Sequence, residues 1–129
     1  MSTSELPKSI LVIDDEPDIC EVIQVALGEF AGWQVTTAGS GKEGLEILDR
    51  LSFDLILLDI SMPEMDGISV FEQMRSHPTA KDIPVILLTA KVLASDQERF
   101  AKIGVVGVIG KPFNPIDLST KIAKLMEWN

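Results

Sequence analysis

The sequence predicts an α/β domain built on a parallel β-sheet with helices on both faces. Five short runs rich in branched aliphatic residues have the length of β-strands. Segments with helical periodicity separate these runs, and such strict alternation is typical of a parallel sheet covered on both sides. The 129 residues are enough to bury a substantial core. The predicted strands are 10–13, 33–37, 55–58, 85–88 and 105–109.

Four of these strands are almost wholly apolar, as expected when both faces of a strand are covered. The run 33–37 differs, because Gln34, Thr36 and Thr37 interrupt its apolar pattern. We therefore expect this second strand to lie at an edge of the sheet. No internal repeat or linker interrupts the pattern, so we expect one domain over residues 1–129, with its core over about 9–126.

The first two helices have clear sequence signals. Pro17 suits a first helical turn, where its missing N–H costs nothing. Ser40 and Glu43 form a capping box that opens the second helix, whose predicted apolar face is Leu45, Leu48 and Leu51. The stripe of the first helix follows the spacing of one helical face, and its members are Ile19, Val22, Ile23, Ala26, Leu27 and Phe30.

The three remaining helices are predicted to begin near Asp66, at a second capping box over 95–98, and at Asn114. The fourth helix is short and has few large apolar residues. Their apolar anchors are Ile68, Phe71 and Met74 in the third, Phe100 and Ile103 in the fourth, and Leu118, Ile122 and Leu125 in the last.

Composition and charge exclude several classes of function. The formal net charge is −9 and the isoelectric point is near 4.4, so we expect no direct binding to nucleic acid or to an anionic membrane. No apolar run approaches the roughly 20 residues of a membrane span, and the first residues lack a signal-peptide pattern. Cys20 is the only cysteine, which fits a reducing, cytoplasmic environment. We expect Cys20 to be a small buried apolar residue, and His77 to be an exposed loop residue.

Polar residues follow four of the predicted strands at the point where each strand ends. Asp14, Asp15 and Glu16 follow the first strand, and Asp59 follows the third. The fourth and fifth strands lead to the two remaining polar residues of this group, Thr89 and Lys111. The carboxyl ends of parallel strands share one edge, and ligands of such sheets bind beyond that edge. We therefore expect these side chains to lie close together.

This grouping has a chemical rationale. Clustered carboxylates repel one another unless a cation lies among them, and a hard ion such as Mg²⁺, or Mn²⁺ in its place, prefers oxygen ligands. Asp14, Asp15 and Asp59 can supply those oxygens. A carboxylate can also act as a nucleophile and form an aspartyl phosphate. Lys111 and Thr89 would then contribute a positive charge and a hydroxyl donor to the phosphoryl oxygens.

Each of these residues has an ordinary alternative explanation. An aspartate after a strand is commonly a turn residue or a helix cap, and Lys111 alone would be read as a solvated lysine. A role as a helix cap or turn residue explains each of these residues separately. It does not explain why all of them lie at the same end of four strands. The joint pattern favours a phosphoryl-transfer site.

The motifs together resemble the receiver domain of bacterial two-component response regulators. The resemblance extends over almost the whole chain, and the matching pieces occur in the family's order and spacing. These pieces are ILVIDDEP at 10–17, LILLDISMP at 55–63, MDG at 65–67, TA at 89–90 and KPF at 111–113.

The resemblance implies a flavodoxin-like fold with five parallel strands in the order 2-1-3-4-5. It implies that Asp59 is the phosphoacceptor and that a histidine kinase or a phosphotransfer protein donates the phosphoryl group. It also implies that Mg²⁺ is bound by Asp15, Asp59 and the backbone carbonyl of Ser61, with Asp14 contributing mostly through water. The downstream partner is a protein that the sequence does not specify.

The resemblance assigns further roles around the site. Thr89 and Lys111 would contact the phosphoryl oxygens and report their arrival. Ser61 and Lys91 lie at positions where the family tunes the lifetime of its phosphoryl group, and the bond before Pro112 is expected to be cis. One position departs from the family. Where relatives often carry a switching Tyr or Phe, this chain has Val108, so we expect the signal to leave through residues 89–94 and the fourth helix.

Two other functions remain as alternatives. The first is a Mg²⁺-dependent phosphohydrolase with an aspartate nucleophile. Such enzymes typically carry a second acid two residues after the nucleophile, where this chain has Ser61. The second is an interaction module that is never phosphorylated, against which the full set of polar residues argues.

Overall fold

The computed structural model describes residues 7–60, 67–90 and 94–128. Within these ranges β-strands and α-helices alternate as predicted. The chain order is β1 (Ser9–Ile13), α1 (Pro17–Ala31), β2 (Gln34–Ala38), α2 (Gly41–Leu48), β3 (Leu55–Asp59), α3 (Gly67–Arg75), β4 (Val85–Thr89), α4 (Ala94–Lys102), β5 (Gly107–Gly110) and α5 (Leu118–Met126).

The five strands form one parallel sheet in the order β2-β1-β3-β4-β5, which confirms the predicted fold class. Strand β2 lies at an edge, as its interrupted apolar pattern predicted. All five residues of β3 and all five of β4 are buried. The register pairs Ile13 with Leu58, and Thr89 with Gly110, so the carboxyl ends of these strands lie level at one edge.

The core has two layers because successive strand residues point to opposite faces of the sheet. On one face, Ile13, Leu58 and Leu87 pack with Phe100 of α4 and with residues of α2 and α3. On the other face, the alternate strand residues pack against α1 and α5. The buried strand residues of this second layer are Ile10, Val12, Leu55, Leu57, Ile86, Leu88 and Ile109.

Four residues of the predicted apolar faces are exposed, so these predictions are wrong: Val22, Phe30, Leu51 and Leu125. Phe30 belongs to the stripe of α1 but is 58% exposed. A 15-residue helix is about 22 Å long and a five-residue strand about 17 Å, so the last turn of α1 extends past the sheet. Leu51 is also exposed, since α2 ends at Leu48, and Ile47 is buried in its place. The Ser40–Glu43 cap itself is confirmed, because the Ser40 hydroxyl accepts from the Glu43 backbone N–H at 3.0 Å.

The last helix begins at Leu118 and not at the predicted Asn114. The side-chain oxygen of Asn114 accepts a hydrogen bond from the Ile116 backbone N–H at 2.9 Å. The Asn114 backbone carbonyl also accepts from the Asp117 N–H at 3.2 Å, so residues 114–117 form a capped turn that leads into the helix. Asp66, the predicted start of the third helix, lies outside the described residues.

His77 lies in the loop after α3, as predicted, but its side chain is half-buried and not exposed. Its Nδ1 accepts hydrogen bonds from the backbone N–H groups of Thr79 and Ala80, both at 3.2 Å. These two donors leave the proton on Nε2, which lies 2.7 Å from Asp49 Oδ1. His77 therefore ties the end of α2 to the loop that follows α3.

None of the helices described is long and apolar enough to cross a membrane.

Candidate functional site

The carboxyl edge of the sheet brings together the polar side chains that follow β1 and β5 and those that end β3 and β4. Asp14, Asp59 and Thr89 are almost completely buried there. The backbone N–H of Asp14 donates to the carbonyl of Ala38 at 3.0 Å, which extends the pairing of β1 with β2 past the last strand residue. One carboxylate oxygen of Asp14 accepts from the Glu16 backbone N–H at 2.9 Å, so its orientation is fixed.

Lys111 lies at the centre of this group. Its ammonium nitrogen is 2.8 Å from Asp14 Oδ2, 3.2 Å from Glu16 Oε1 and 3.6 Å from Asp59 Oδ1. The backbone N–H of Lys111 donates to the carbonyl of Thr89 at 2.8 Å, which holds the start of the loop after β5 against the end of β4. The lysine thus joins residues that are nearly a hundred positions apart in the sequence.

The acids around Lys111 keep it charged. Burial alone would lower the pKa of its ammonium group, but the hydrogen bond that the ammonium donates to Asp14 and the negative charges of Asp14 and Asp59 act in the opposite direction. The net result is a pKa above the usual value of 10.5. Lys111 is therefore a permanent positive charge at physiological pH.

Four carboxylates surround this one ammonium group. Oxygen atoms of Asp14, Asp15, Glu16 and Asp59 all lie within 4.8 Å of one another. Asp14 and Asp59 are buried, Asp15 is half-buried and Glu16 is exposed. Because one lysine cannot neutralise four acids, the cluster retains an excess of negative charge. An all-oxygen donor set with this charge fits a hard divalent cation such as Mg²⁺.

Gly67 allows the backbone at the end of β3 to approach α3 closely. A Cβ atom on this residue would lie 2.6 Å from the Ile60 Cα and 3.0 Å from the Asp59 carbonyl carbon. Real Cβ atoms essentially never come this near to a backbone. The sequence pattern at 66–67 indicated only an ordinary helix cap, because a close approach between two segments leaves no local signal.

The remaining predicted site residues fall in different surroundings. The Lys111–Pro112 peptide bond is cis, as the resemblance implied. Val108 is half-buried and packs against the core layer that contains Phe100. Ser61 and Lys91, predicted to supply a metal ligand and to tune the phosphoryl lifetime, lie outside the described residues.

Two contacts at the site went unpredicted. Glu16 was grouped with the acids but given no role, and its contact with Lys111 emerges only from the fold. Cys20 was predicted to be a buried apolar residue, and it is buried. Its thiol also donates to the backbone carbonyl of Asp14 at 3.3 Å. Burial, followed by the negative charge of Asp14, raises the pKa of the Cys20 thiol to about 11.

We expect Cys20 to react slowly with thiol reagents in the folded protein. Raising its pKa from 9.0 to about 11 reduces the thiolate fraction near neutral pH about 100-fold, and burial slows access further. The measurement is the rate of maleimide or disulfide-reagent labelling of the native protein at pH 7.5, compared with the same protein in denaturant. Equal rates in the two states would contradict the described burial of the thiol.

The fold and the site define a class of protein. A five-stranded parallel sheet in the order 2-1-3-4-5, with an acidic cluster and a lysine at its carboxyl edge, characterises flavodoxin-like domains of the CheY type. The family model for the response regulator receiver domain matches residues 10–123, and the chain therefore belongs to this family.

Curated relatives are longer proteins. The response regulator SaeR of Staphylococcus aureus is 37% identical over 117 residues, which cover 91% of this chain and 50% of SaeR. The probable transcriptional regulator ycf27 of Cyanidium caldarium is 36% identical over 117 residues, or 91% of this chain and 45% of that protein. The chain thus spans about half the length of these relatives.

A solved structure of similar size has the same fold. The chemotaxis response regulator CheY4 of Vibrio cholerae superposes with a TM-score of 0.85 and 28% identity, covering 93% of this chain and 99% of CheY4. Fold and family are therefore supported both by sequence and by structure.

Proposed function

We propose that this receiver domain is a signalling switch that accepts a phosphoryl group on Asp59 from a histidine kinase or a phosphotransfer protein. One observation carries the proposal: the ammonium of Lys111 lies 3.6 Å from a buried Asp59 oxygen, inside a cluster of four carboxylates. A carboxylate nucleophile beside a fixed positive charge is the arrangement that phosphoryl transfer requires. The downstream partner is a protein that distinguishes the phosphorylated from the unphosphorylated form.

The proposed reaction has a simple balance. An Asp59 carboxylate oxygen attacks the phosphorus of the donor, and the bond from phosphorus to the donor nitrogen or oxygen breaks, with its electron pair leaving on the donor. Lys111 provides positive charge to the transferred oxygens, because its contact with the buried Asp14 already holds it beside Asp59. Thr89 is buried at the same edge and would donate its hydroxyl to a phosphoryl oxygen.

The site fits Mg²⁺ by the chemistry of its donors. Asp14, Asp15 and Asp59 are the carboxylates that would hold the ion, and the Ser61 carbonyl is proposed as a further ligand on the resemblance alone. When bound, the ion supplies positive charge that neutralises the carboxylates and the transferred phosphoryl oxygens. A related structure, the receiver domain of the sensor histidine kinase PA1611 from Pseudomonas aeruginosa, is described with a magnesium ion coordinated in its active site cleft. It has 28% identity and a TM-score of 0.81, with 95% of this chain and 99% of that chain covered.

We propose that the signal leaves the site through Thr89 and α4. Val108 replaces the aromatic residue that often switches in relatives, and a valine is stiff about its first side-chain torsion. In the described part of α4, Phe100 is fully buried while Glu98, Arg99 and Lys102 are exposed. Among the α4 residues whose side chains are described, Phe100 is the one buried anchor, and a helix with few buried contacts can shift at low cost in packing energy. Its exposed polar face would then present a changed surface to a partner.

The test is direct phosphorylation. The protein is incubated with Mg²⁺ and acetyl phosphate, and its intact mass is measured with time. We expect a gain of one phosphoryl group, and we expect a chelator added at the start to prevent it. A protein that gains no phosphoryl group from acetyl phosphate, and none from a phosphorylated histidine protein, would contradict the proposed function.

We expect Lys111→Met to have opposite effects on metal binding and on phosphorylation. Removing the only ammonium from the described cluster relieves its repulsion of a divalent cation, so Mg²⁺ binding should tighten about ten-fold. Phosphorylation by acetyl phosphate should fall about 100-fold, because a charge that stabilises the transferred group is lost. Calorimetric titration and intact mass measure the two effects.

The matched control is Lys121→Met. It removes an exposed lysine of α5 that lies ten residues after Lys111 in the sequence. We expect this variant to retain both the Mg²⁺ affinity and the phosphorylation rate. If Lys111→Met weakens Mg²⁺ binding, the ammonium does not compete with the ion and the described cluster is not the metal site.

A further inference from the structure

We propose that Glu16 is a positioning residue that restrains Lys111 before phosphorylation. Its carboxylate competes with Asp59 for the lysine ammonium, and this competition slows phosphoryl transfer. This inference rests on the proposed function of Asp59. It concerns a residue that lies beside the nucleophile and the metal-binding acids and is distinct from them.

The distances support competition. The Lys111 nitrogen is 3.2 Å from Glu16 Oε1 but 3.6 Å from Asp59 Oδ1, so the exposed acid is closer to the ammonium than the buried nucleophile. The side chain of Glu16 is 59% exposed, whereas that of Asp59 is 3% exposed. Glu16 therefore holds Lys111 from the solvent side of the site, and Asp59 lies below it.

Asp14 fixes the other side of the ammonium. Its oxygen is 2.8 Å from the Lys111 nitrogen and fully buried, so Lys111 retains this contact when Glu16 is changed. Removing the Glu16 carboxylate leaves Asp14 and Asp59 as the described partners of the lysine. The ammonium is then freer to meet an incoming phosphoryl group, which carries negative charge on its oxygens.

Breaking the contact between Glu16 and Lys111 costs the protein little stability. An ion pair with one exposed member contributes little to stability, since water competes for the carboxylate and the pair is partly screened. The pair thus acts as a reversible restraint, and its loss should leave the fold intact. The backbone N–H of Glu16, which orients the Asp14 carboxylate, is retained in any substitution of Glu16 other than proline.

The experiment compares wild-type protein, Glu16→Gln and Glu21→Gln. Glu21→Gln is the matched control, because it removes the same charge from an exposed position on α1 with no described contact to Lys111. Each protein is phosphorylated by acetyl phosphate at saturating Mg²⁺, and the rate of adduct formation is followed by intact mass. We expect Glu16→Gln to react about 3- to 10-fold faster than wild type, and Glu21→Gln to match wild type within about 1.5-fold.

Ionic strength distinguishes positioning from a general charge effect. Repulsion between the acidic protein and an anionic donor acts over long distances and is largely screened by salt, whereas the Lys111–Glu16 pair, at 3.2 Å, lies within a Debye length at either salt concentration and is screened less. We therefore repeat the comparison at about 0.05 M and about 0.5 M salt, where the Debye length changes from about 13 Å to about 4 Å. The proposed role requires most of the Glu16→Gln acceleration to persist at high salt.

Each outcome decides a separate question. An acceleration that disappears at high salt, or that Glu21→Gln reproduces, would contradict the positioning role while leaving Asp59 as the phosphoacceptor. An unchanged or slower Glu16→Gln would also contradict it. A wild-type protein that forms no adduct at saturating Mg²⁺ would instead contradict the proposed function on which the inference rests.

Discussion

Asp59→Asn is expected to abolish phosphorylation. The amide that replaces the carboxylate is neutral and a poor nucleophile, so no acyl phosphate can form at this position. We expect adduct formation with acetyl phosphate and Mg²⁺ to fall below about 1% of the wild-type amount in intact-mass measurements. The substitution is nearly isosteric and removes one buried negative charge from a crowded cluster, so the folded structure should be retained.

The matched control is Asp82→Asn. Asp82 is exposed in the loop before β4, at the opposite edge of the sheet from the described cluster. This variant carries the same change in side chain and in net charge, and we expect it to be phosphorylated like the wild type. Equal labelling of Asp59→Asn and Asp82→Asn would show that another residue receives the phosphoryl group.

Gly67→Ala is expected to destabilise the protein by about 3 kcal/mol, the upper part of the usual range for overpacking. The added methyl group would lie 2.6 Å from the Ile60 Cα, so α3 or the end of β3 must move. Backbone atoms cannot rotate away as a flexible side chain can, and the cost is therefore large. The free energy of unfolding is measured by urea denaturation.

Gly28→Ala provides a control with the opposite sign. Gly28 lies within α1, and the nearest atom to its added Cβ is the Trp33 carbonyl oxygen at an ordinary 3.9 Å. Alanine is favoured over glycine in a helix by up to about 1 kcal/mol, so this variant should be slightly more stable than wild type. If the Gly67→Ala protein proves as stable as the Gly28→Ala protein, the described packing of α3 on β3 is contradicted.

Much of the fold was predictable because its signals are local. The runs that became β3 and β4 are apolar at nearly every position, and a strand buried on both faces leaves this pattern in the sequence. The edge position of β2 followed from its interrupted pattern in the same way. Phe30 was mispredicted because helical periodicity does not show how far a helix extends past the sheet. That property belongs to the tertiary structure.

The site was predictable in outline for a similar reason. Asp14, Asp59, Thr89 and Lys111 each end or follow a strand, and parallel topology alone brings such residues to one edge. Which of these residues lie closest to one another was not predictable. That Lys111 meets Asp14 at 2.8 Å and Asp59 only at 3.6 Å depends on side-chain packing between distant segments. The close approach at Gly67 is of the same kind, since the sequence there also suits an ordinary helix cap.

The most direct test of the phosphoryl-accepting site is chemical location of the acceptor in the unaltered protein. After treatment with Mg²⁺ and acetyl phosphate, borohydride reduces an aspartyl phosphate to homoserine, and peptide mass spectrometry identifies the converted position. We predict homoserine at Asp59 and at no other aspartate. Conversion at Asp14 or Asp15, or no conversion in a protein that has gained a phosphoryl group, would contradict the assignment of Asp59 as the nucleophile.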